Sequence, residues 1–144
     1  MDIRYELLDN NNKDILEIEM LRCEAFNIKE LVKDSYYYKK IKDGDMVVVK
    51  CYLDDKLVGG VYVTNSYSSL FIDQIFIRPK YQRNGLHIGS RLLNYVLENK
   101  NIFEDYFNKK FSVSRLENRC QDEFYNYMGY KNENNLMDTM KRRI

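Results

Sequence analysis

The sequence holds one proline, one histidine and no tryptophan among its 144 residues, and each scarcity excludes something. With His87 as the lone imidazole, and Cys23, Cys51 and Cys120 in no C-x-x-C or other metal-like spacing with it, no metal centre is expected. An odd number of cysteines offers no disulfide framework, so the thiols are read as reduced. Cys23 and Cys51 fall in apolar helix and strand patterns, which favours burial. A cysteine nucleophile would need a paired base, and none is evident. Charge of one sign is missing too: 23 Lys and Arg against 22 Asp and Glu give a net charge of +1. Global electrostatics therefore announces neither a nucleic-acid surface nor a membrane patch. No apolar run is long enough to span a bilayer, and the opening MDIRYELLDN lacks the apolar core of a signal peptide, so a cytoplasmic protein is expected. Repeats, linkers and low-complexity segments are absent, and the length suits one domain over 1–144 with a core of its own. What is abundant is tyrosine, 13 residues, which suits a polar-tipped aromatic pocket. The Asn- and Lys-rich composition points to a low-GC bacterial source.

The chain is organised around Ser69 to Val96, which reads as strand, polar turn, helix. Leu70 to Ile77 is apolar and aromatic apart from Asp73-Gln74, which predicts a strand buried on both faces. Pro79 ends it. Ile88, Leu92, Leu93, Val96 and Leu97 then recur at helical spacing. The first amides of a helix have no intrahelical partner and carry the positive end of its dipole, so the turn between, with Gly85, Gly89, Arg83 and Arg91, suits an anion such as a phosphate. An ordinary strand-to-helix loop is the alternative on these features alone.

Before this stretch, residues 2–8 alternate as a first strand. Asp14 is placed as the cap of a helix that carries Ile15, Ile18, Leu21, Arg22, Ala25 and Phe26 at helical spacing and stops at Asn27. A second helix is predicted over 28–41, a strand over 46–53, a hairpin at Asp54-Asp55-Lys56 and a strand over 57–64. Gly59 and Gly60 within that strand mark a bulge or a close approach of backbones. After the central helix come a short amphipathic or irregular piece over 102–108, a strand over 110–116 parallel to the organising strand, a helix over 119–128 stopped by Gly129, and a last strand over 136–142.

Two motifs carry a family resemblance. Ile77-x-Pro79-x-x-Gln82-x-x-Gly85, followed by Ile88-Gly89-Ser90-x-Leu92-Leu93, resembles the acetyl-coenzyme A loop of the GNAT superfamily of N-acetyltransferases, but the loop is two residues longer than the family pattern. Counted forward, Gln82 and Gly85 take the first marked positions and His87 the second glycine; counted backward from the leucines, Gly89 is the second glycine and His87 the first. Asn118-x-x-Gln121-x-x-Phe124-Tyr125-x-x-x-Gly129-Tyr130 resembles a second family motif, with Gln121 in place of a small residue. The two stand in the family's order and separation.

The resemblance implies an α/β fold: a mixed, mostly antiparallel sheet of six to seven strands flanked by about four helices. It implies an N-acetyltransferase that moves acetyl from acetyl-CoA to a primary amine, of a small molecule or of a peptide or protein, directly in a ternary complex. A non-catalytic acyl-CoA sensor or interaction module of the same fold is the alternative. The implied coenzyme contacts are the backbone of Ile75, Phe76 and Ile77, the loop residues Gln82, Arg83, Asn84, Gly85, His87, Ile88, Gly89 and Ser90, and Asn118. Tyr125 is implied as the acid near the coenzyme sulfur. Asp73 stands where relatives often carry a glutamate base, and an ordinary place at the strand's solvent edge is the other reading. Tyr36 and Tyr37 are candidate acceptor contacts, or pack on the sheet edge. No metal, nucleic acid or membrane is expected as partner, and homodimer formation is left open.

Overall fold

The computed structural model describes residues 2–29, 35–66, 69–82, 85–108, 115–118, 130–134 and 139–143; for 65, 66, 69, 70 and the strands after 108 it describes backbone alone. The elements in order are β1 (Ile3–Leu7), α1 (Asn12–Phe26), α2 (Tyr36–Lys42), β2 (Val47–Leu53), β3 (Lys56–Ser66), β4 (Ser69–Ile77), a 3-10 turn (Pro79–Tyr81), α3 (Ile88–Glu98), α4 (Lys100–Phe107), β5 (Arg115–Asn118), β6 (Tyr130–Asn134) and β7 (Thr139–Arg143). The described strands lie in the order β1-β2-β3-β4-β5-β7-β6. β1 to β4 form an antiparallel meander, and β5 joins β4 in parallel, as a connection through helices predicts.

Local chemistry explains most boundaries. Asn11, not Asp14, caps α1: its side-chain oxygen accepts from the Asp14 amide at 2.8 Å while its Nδ2 donates to Asp14 Oδ2 at 2.8 Å. Asp14 is instead the third helical residue, where a carboxylate completes a reciprocal capping pair and meets the positive end of the helix. Asn27 closes the helix in the left-handed conformation, φ 54°, with Ile28 N donating to Cys23 O at 2.8 Å. That closure uses Ile28, so the helix predicted over 28–41 is shorter than the pattern suggested. α2 starts at Tyr36, capped by Ser35 Oγ accepting from Tyr38 N at 2.9 Å. The hairpin turn is Asp54-Asp55, both left-handed with φ 48° and 68°, the backbone twist that two-residue hairpins favour. At the C-terminal end two strands, β6 and β7, replace the one predicted over 136–142. Tyr-Lys-Asn-Glu-Asn of β6 has no apolar alternation to reveal it; its pairing with β7 defines it. The helix expected over 119–128, its stop at Gly129, Cys120 and most of the strand expected over 110–116 lie outside the described residues.

The sheet separates two apolar cores. Val47, Val49, Cys51, Leu53, Val61, Val63 and Ile72 face α3 and α4, against Ile88, Leu92, Leu93, Val96 and Phe103. On the other face Met46, Val48, Tyr62 and Phe76 pack under α1 and α2, against Ile15, Ile18, Leu21 and Ile41. β4 is thus covered on both sides through Ile72 and Phe76, in line with its apolar sequence.

Two residues shape the sheet more than any apolar one. At Gly59 a Cβ would lie 2.6 Å from Ile77 Cδ1 and 2.7 Å from the Phe76 carbonyl oxygen; at Gly60 it would meet Phe76 Cζ at 3.0 Å and Ile18 Cδ1 at 3.1 Å. These glycines let β3 approach β4 and let α1 settle on the sheet. The β2–β3 register slips beside Gly59, between Cys51 and Tyr52, and the β3–β4 register slips between Tyr62 and Val63, where Gln74 and Ile72 are the partners and Asp73 is the surplus residue.

Gly59→Ala is expected to destabilise the fold by about 1–3 kcal/mol, because its methyl meets backbone that cannot step aside; urea denaturation checks it. Cys51 is 1% exposed and burial pushes its thiol up to about 11. Its folded pKa stands above the unfolded one, so the native state holds this proton more tightly and its contribution to stability is complete below the unfolded value. Unfolding free energy should therefore fall as pH rises from 9 towards 11, and Cys51→Ala should remove that part of the decline.

Candidate active site

The segment between β4 and α3 is built from backbone. Pro79 opens a 3-10 turn, and Gln82 Nε2 donates back to the Ile77 carbonyl at 2.8 Å, tying the turn to the strand end. Gly85 is left-handed with φ 81°, and so is His87 with φ 54°. α3 follows with its first intrahelical bond, Arg91 N to His87 O, at 3.0 Å. The amides of Ile88, Gly89 and Ser90 precede that bond and point out of the helix start. Both alignments of the loop set a family glycine at His87, and the backbone there adopts a conformation that glycine tolerates best. His87 is exposed. Leu86 beside it packs half-buried against the α3-side core, because an apolar side chain next to that core gains from leaving water. Arg83 and Asn84 lie outside the described residues.

Among the described residues β4 pairs with β5 through Leu70, Phe71 and Ile72, opposite Leu116, Glu117 and Asn118. Along Asp73 to Ile77 no described strand lies on that side. Every second backbone group of Ile75, Phe76 and Ile77 is taken by β3, and the others face the side on which no described strand lies. Asn118, the last described residue of β5, lies opposite Ile72. Tyr125 lies outside the described residues.

The bulge decides where Asp73 goes. Counting back by twos from Ile77 and Ile75, Asp73 would belong on the α3 face. The extra residue reverses the alternation, so Ile72 enters the α3-side core while half-buried Asp73 turns to the α2 face. There it lines a cleft of ≈ 440 Å³ with Phe71, Tyr36, Tyr37, Lys40 and Asp45. Tyr36 is 62% exposed, and its ring meets Tyr37 edge-on at 5.3 Å between centroids. Lys40 reaches both the Tyr36 ring, 5.4 Å from its centroid, and Asp45 at 3.9 Å. The structure thus brings Asp73, Tyr36 and Tyr37 together on one cleft. The two tyrosines sit on α2 across from the sheet rather than on a sheet edge.

Beneath the cleft lies a cluster that sequence reasoning missed. Glu19 of α1 is 0% exposed and Arg22 is 4% exposed. Arg22 Nε donates to Glu19 Oε2 at 2.8 Å and Nη2 to Oε1 at 3.2 Å. Ser35 Oγ donates to Glu19 Oε1 at 2.6 Å, and the Tyr62 hydroxyl of β3 donates to Oε2. The Arg22 guanidinium lies over the Tyr37 ring, 4.5 Å from its centroid. Burial opposes the Arg22 charge, and Glu19 more than offsets it, so its pKa is raised; burial, together with Glu19, holds the Tyr62 phenol well above its usual range. One signal was available in the sequence: Arg22 falls on the apolar spacing of α1, where an unpaired cation would be costly.

The family described as "Acetyltransferase (GNAT) domain" matches residues 9–139. Among solved structures, the chain is similar to a PaiA N-acetyltransferase from Thermoplasma acidophilum in complex with coenzyme A, at 16% identity over 100% of both chains and a TM-score of 0.70. It is similar to Escherichia coli ElaA at 17% identity, over 97% of this chain and 99% of that one, with a TM-score of 0.67. An aminoglycoside acetyltransferase from an uncultured soil metagenomic sample, in complex with trehalose, is 18% identical over 92% and 90% of the two chains, with a TM-score of 0.63. No curated protein matches the chain by sequence. At such identities the structures speak for the fold alone; the family match, which spans most of the residues that build the meander, the β4–α3 junction and the cleft, shows that the chain belongs to the GNAT family of acetyltransferases.

Proposed function

We propose that the protein transfers acetyl from acetyl-CoA directly to a primary amine, of a small molecule or of a peptide or protein, in a ternary complex, with 1–144 acting as one domain whose sheet of six to seven strands carries about four helices. One observation supports this most: the bulge turns Asp73 into the α2 cleft next to Ile72, beyond which no described strand covers the other edge of β4. A strand edge suited to an extended donor and a cleft suited to an acceptor therefore adjoin at one residue.

In this reading the pantetheine arm lies along the open edge of Ile75, Phe76 and Ile77, with Asn118 beside it, and a backbone amide polarises the thioester carbonyl. The pyrophosphate rests on the loop of Gln82, Arg83, Asn84, Gly85 and His87 and on the amides of Ile88, Gly89 and Ser90. Tyr36 and Tyr37 hold the acceptor. Asp73 takes a proton from the acceptor ammonium, the neutral nitrogen forms the new bond to the acetyl carbon, and the carbon–sulfur bond breaks. Tyr125 gives its proton to the leaving thiolate and recovers one from the amine side. Acid–base transfer of this kind asks for no metal. The reaction fits a cytoplasmic bacterial enzyme, where acetyl-CoA is at hand.

Calorimetry with acetyl-CoA and a thiol-release assay on a panel of amines test the reading; coenzyme binding without thiol release for any amine would leave only an acyl-CoA-binding module. His87→Ala should change acetyl-CoA affinity less than about threefold, since the pyrophosphate is held by amides, whereas Gly89→Val should weaken it about tenfold or more by placing a branched side chain at the helix start. The reverse pattern would move the close-approach position to His87.

Tyr125→Phe is expected to lower turnover by about a hundredfold with coenzyme affinity nearly intact. Asp73→Asn should remove the acidic limb of the rate–pH profile. An unchanged profile would assign the base elsewhere.

A further inference from the structure

We infer that Glu19 is a positioning residue for the acceptor side of the site, a buried hub that sets where Tyr37 and the start of α2 stand relative to the sheet. The inference rests on the reading of the α2 cleft as the acceptor site. Its two carboxylate oxygens serve three elements at once. Within α1 they hold Arg22, whose guanidinium in turn lies against the Tyr37 ring. On α2 they accept from Ser35 Oγ, and that same oxygen accepts from the Tyr38 amide, so the cap of α2 is fastened to α1 through one hydroxyl. On β3 they accept from Tyr62, the last residue before the register slip that frees Asp73.

The cleft has one wall on α2, with Tyr36, Tyr37 and Lys40, and another on the sheet, with Phe71 and Asp73. α2 is only seven residues long, too short to hold its own place, so its position is set by what it is tied to. Ile41 in the core, the Tyr38 hydroxyl donating to Asn12 Oδ1 at 3.0 Å and Asn10 Nδ2 donating to the Lys42 carbonyl at 3.0 Å hold part of the helix; beneath the tyrosines the tie is supplied by Ser35 and Arg22, and both end on Glu19. Tyr62 adds the sheet side: its ring lies 5.4 Å from Tyr37 and 5.1 Å from Phe76 by centroids. A carboxylate fully out of water is costly unless every lone pair is used, and here ionic and neutral donors from three elements use them. An apolar residue would fill the space without fixing direction. Glu19 does not line the cleft itself, so its effect on the acceptor passes through Tyr37 and α2.

The test compares Glu19→Gln, Ser35→Ala and the cleft control Tyr37→Ala in the full chain, using butylamine, 1,4-diaminobutane and a peptide with a free N-terminus as acceptors. ¹³C-tyrosine NMR, with Tyr37 assigned from Tyr37→Phe, provides a readout that needs no turnover. The expected result is a displaced Tyr37 resonance in both hub variants, and KM for the accepted amine raised about threefold to tenfold with KM for acetyl-CoA within about twofold of the parent. A purely structural role would lower kcat by the fraction of unfolded protein, leave both KM values alone and leave Tyr37 unmoved, and that outcome overturns the proposal. Should Glu19→Gln not fold, Ser35→Ala decides, since it removes one hydroxyl and leaves the ion pair. If Tyr37→Ala raises the amine KM and the hub variants do not, the positioning role alone is wrong. If Tyr37→Ala leaves it unchanged, the cleft is not the acceptor site and the positioning role falls with it. If no amine on the panel is acetylated, the NMR decides: an unmoved Tyr37 in Ser35→Ala overturns the role.

Discussion

Between Gln74 and Ile72, β4 carries one residue more than the stretch of β3 it pairs with, and the strand cannot absorb it without changing which face each side chain meets. Before the bulge Phe71 looks towards α2 and Ile72 towards α3; after it Phe76 looks towards α1 and Ile75 and Ile77 towards α3. Both cores are therefore filled from the same strand, and the polar surplus residue falls where neither core needs it. The described pairing of β4 with β5 reaches Ile72, next to that residue. In the proposed reaction the donor lies along the strand beyond it and the acceptor in the cleft.

The close approach of backbones around β3 depends on glycine for a steric reason and on Glu19 for an electrostatic one. Gly59 and Gly60 bring β3, β4 and α1 together at distances where a side chain would collide. The resulting interior is dry, which holds the proton on the Tyr62 phenol, while Arg22 keeps its charge against that burial through its contacts with Glu19. A buried ion pair of this kind contributes little net stability over apolar packing, and removing either partner is expensive. Its value lies in direction: hydrogen bonds fix angles that apolar contacts leave soft.

The turn into α3 follows the same economy of backbone. Left-handed Gly85 and His87 bring the chain round so that the helix starts with its amides outward and its apolar stripe inward. For histidine that conformation costs about 1–2 kcal/mol. Leu86, anchored in the core between them, offsets part of it by burial.

The sequence alone determined the order of elements from β1 to α4, the strand–turn–helix junction and the family, because apolar periodicity, the position of Pro79 and two spaced motifs are local properties that a chain carries before it folds. It also singled out Asp73, Tyr36 and Tyr37 as candidates. What it left open was whether these residues meet. Asp73 reaches the tyrosines only because the β3–β4 register slips by one, and a register is a relation between strands that neither strand encodes by itself. Glu19 reads as an ordinary helix glutamate until Tyr62, 43 positions away, and Ser35, 16 positions away, close on it. The pairing of β6 with β7 was likewise settled by hydrogen bonds to a partner outside the local pattern. Tertiary structure decided these because a buried carboxylate and a shifted register are paid for by contacts distant in sequence, and only the folded chain brings those contacts within reach.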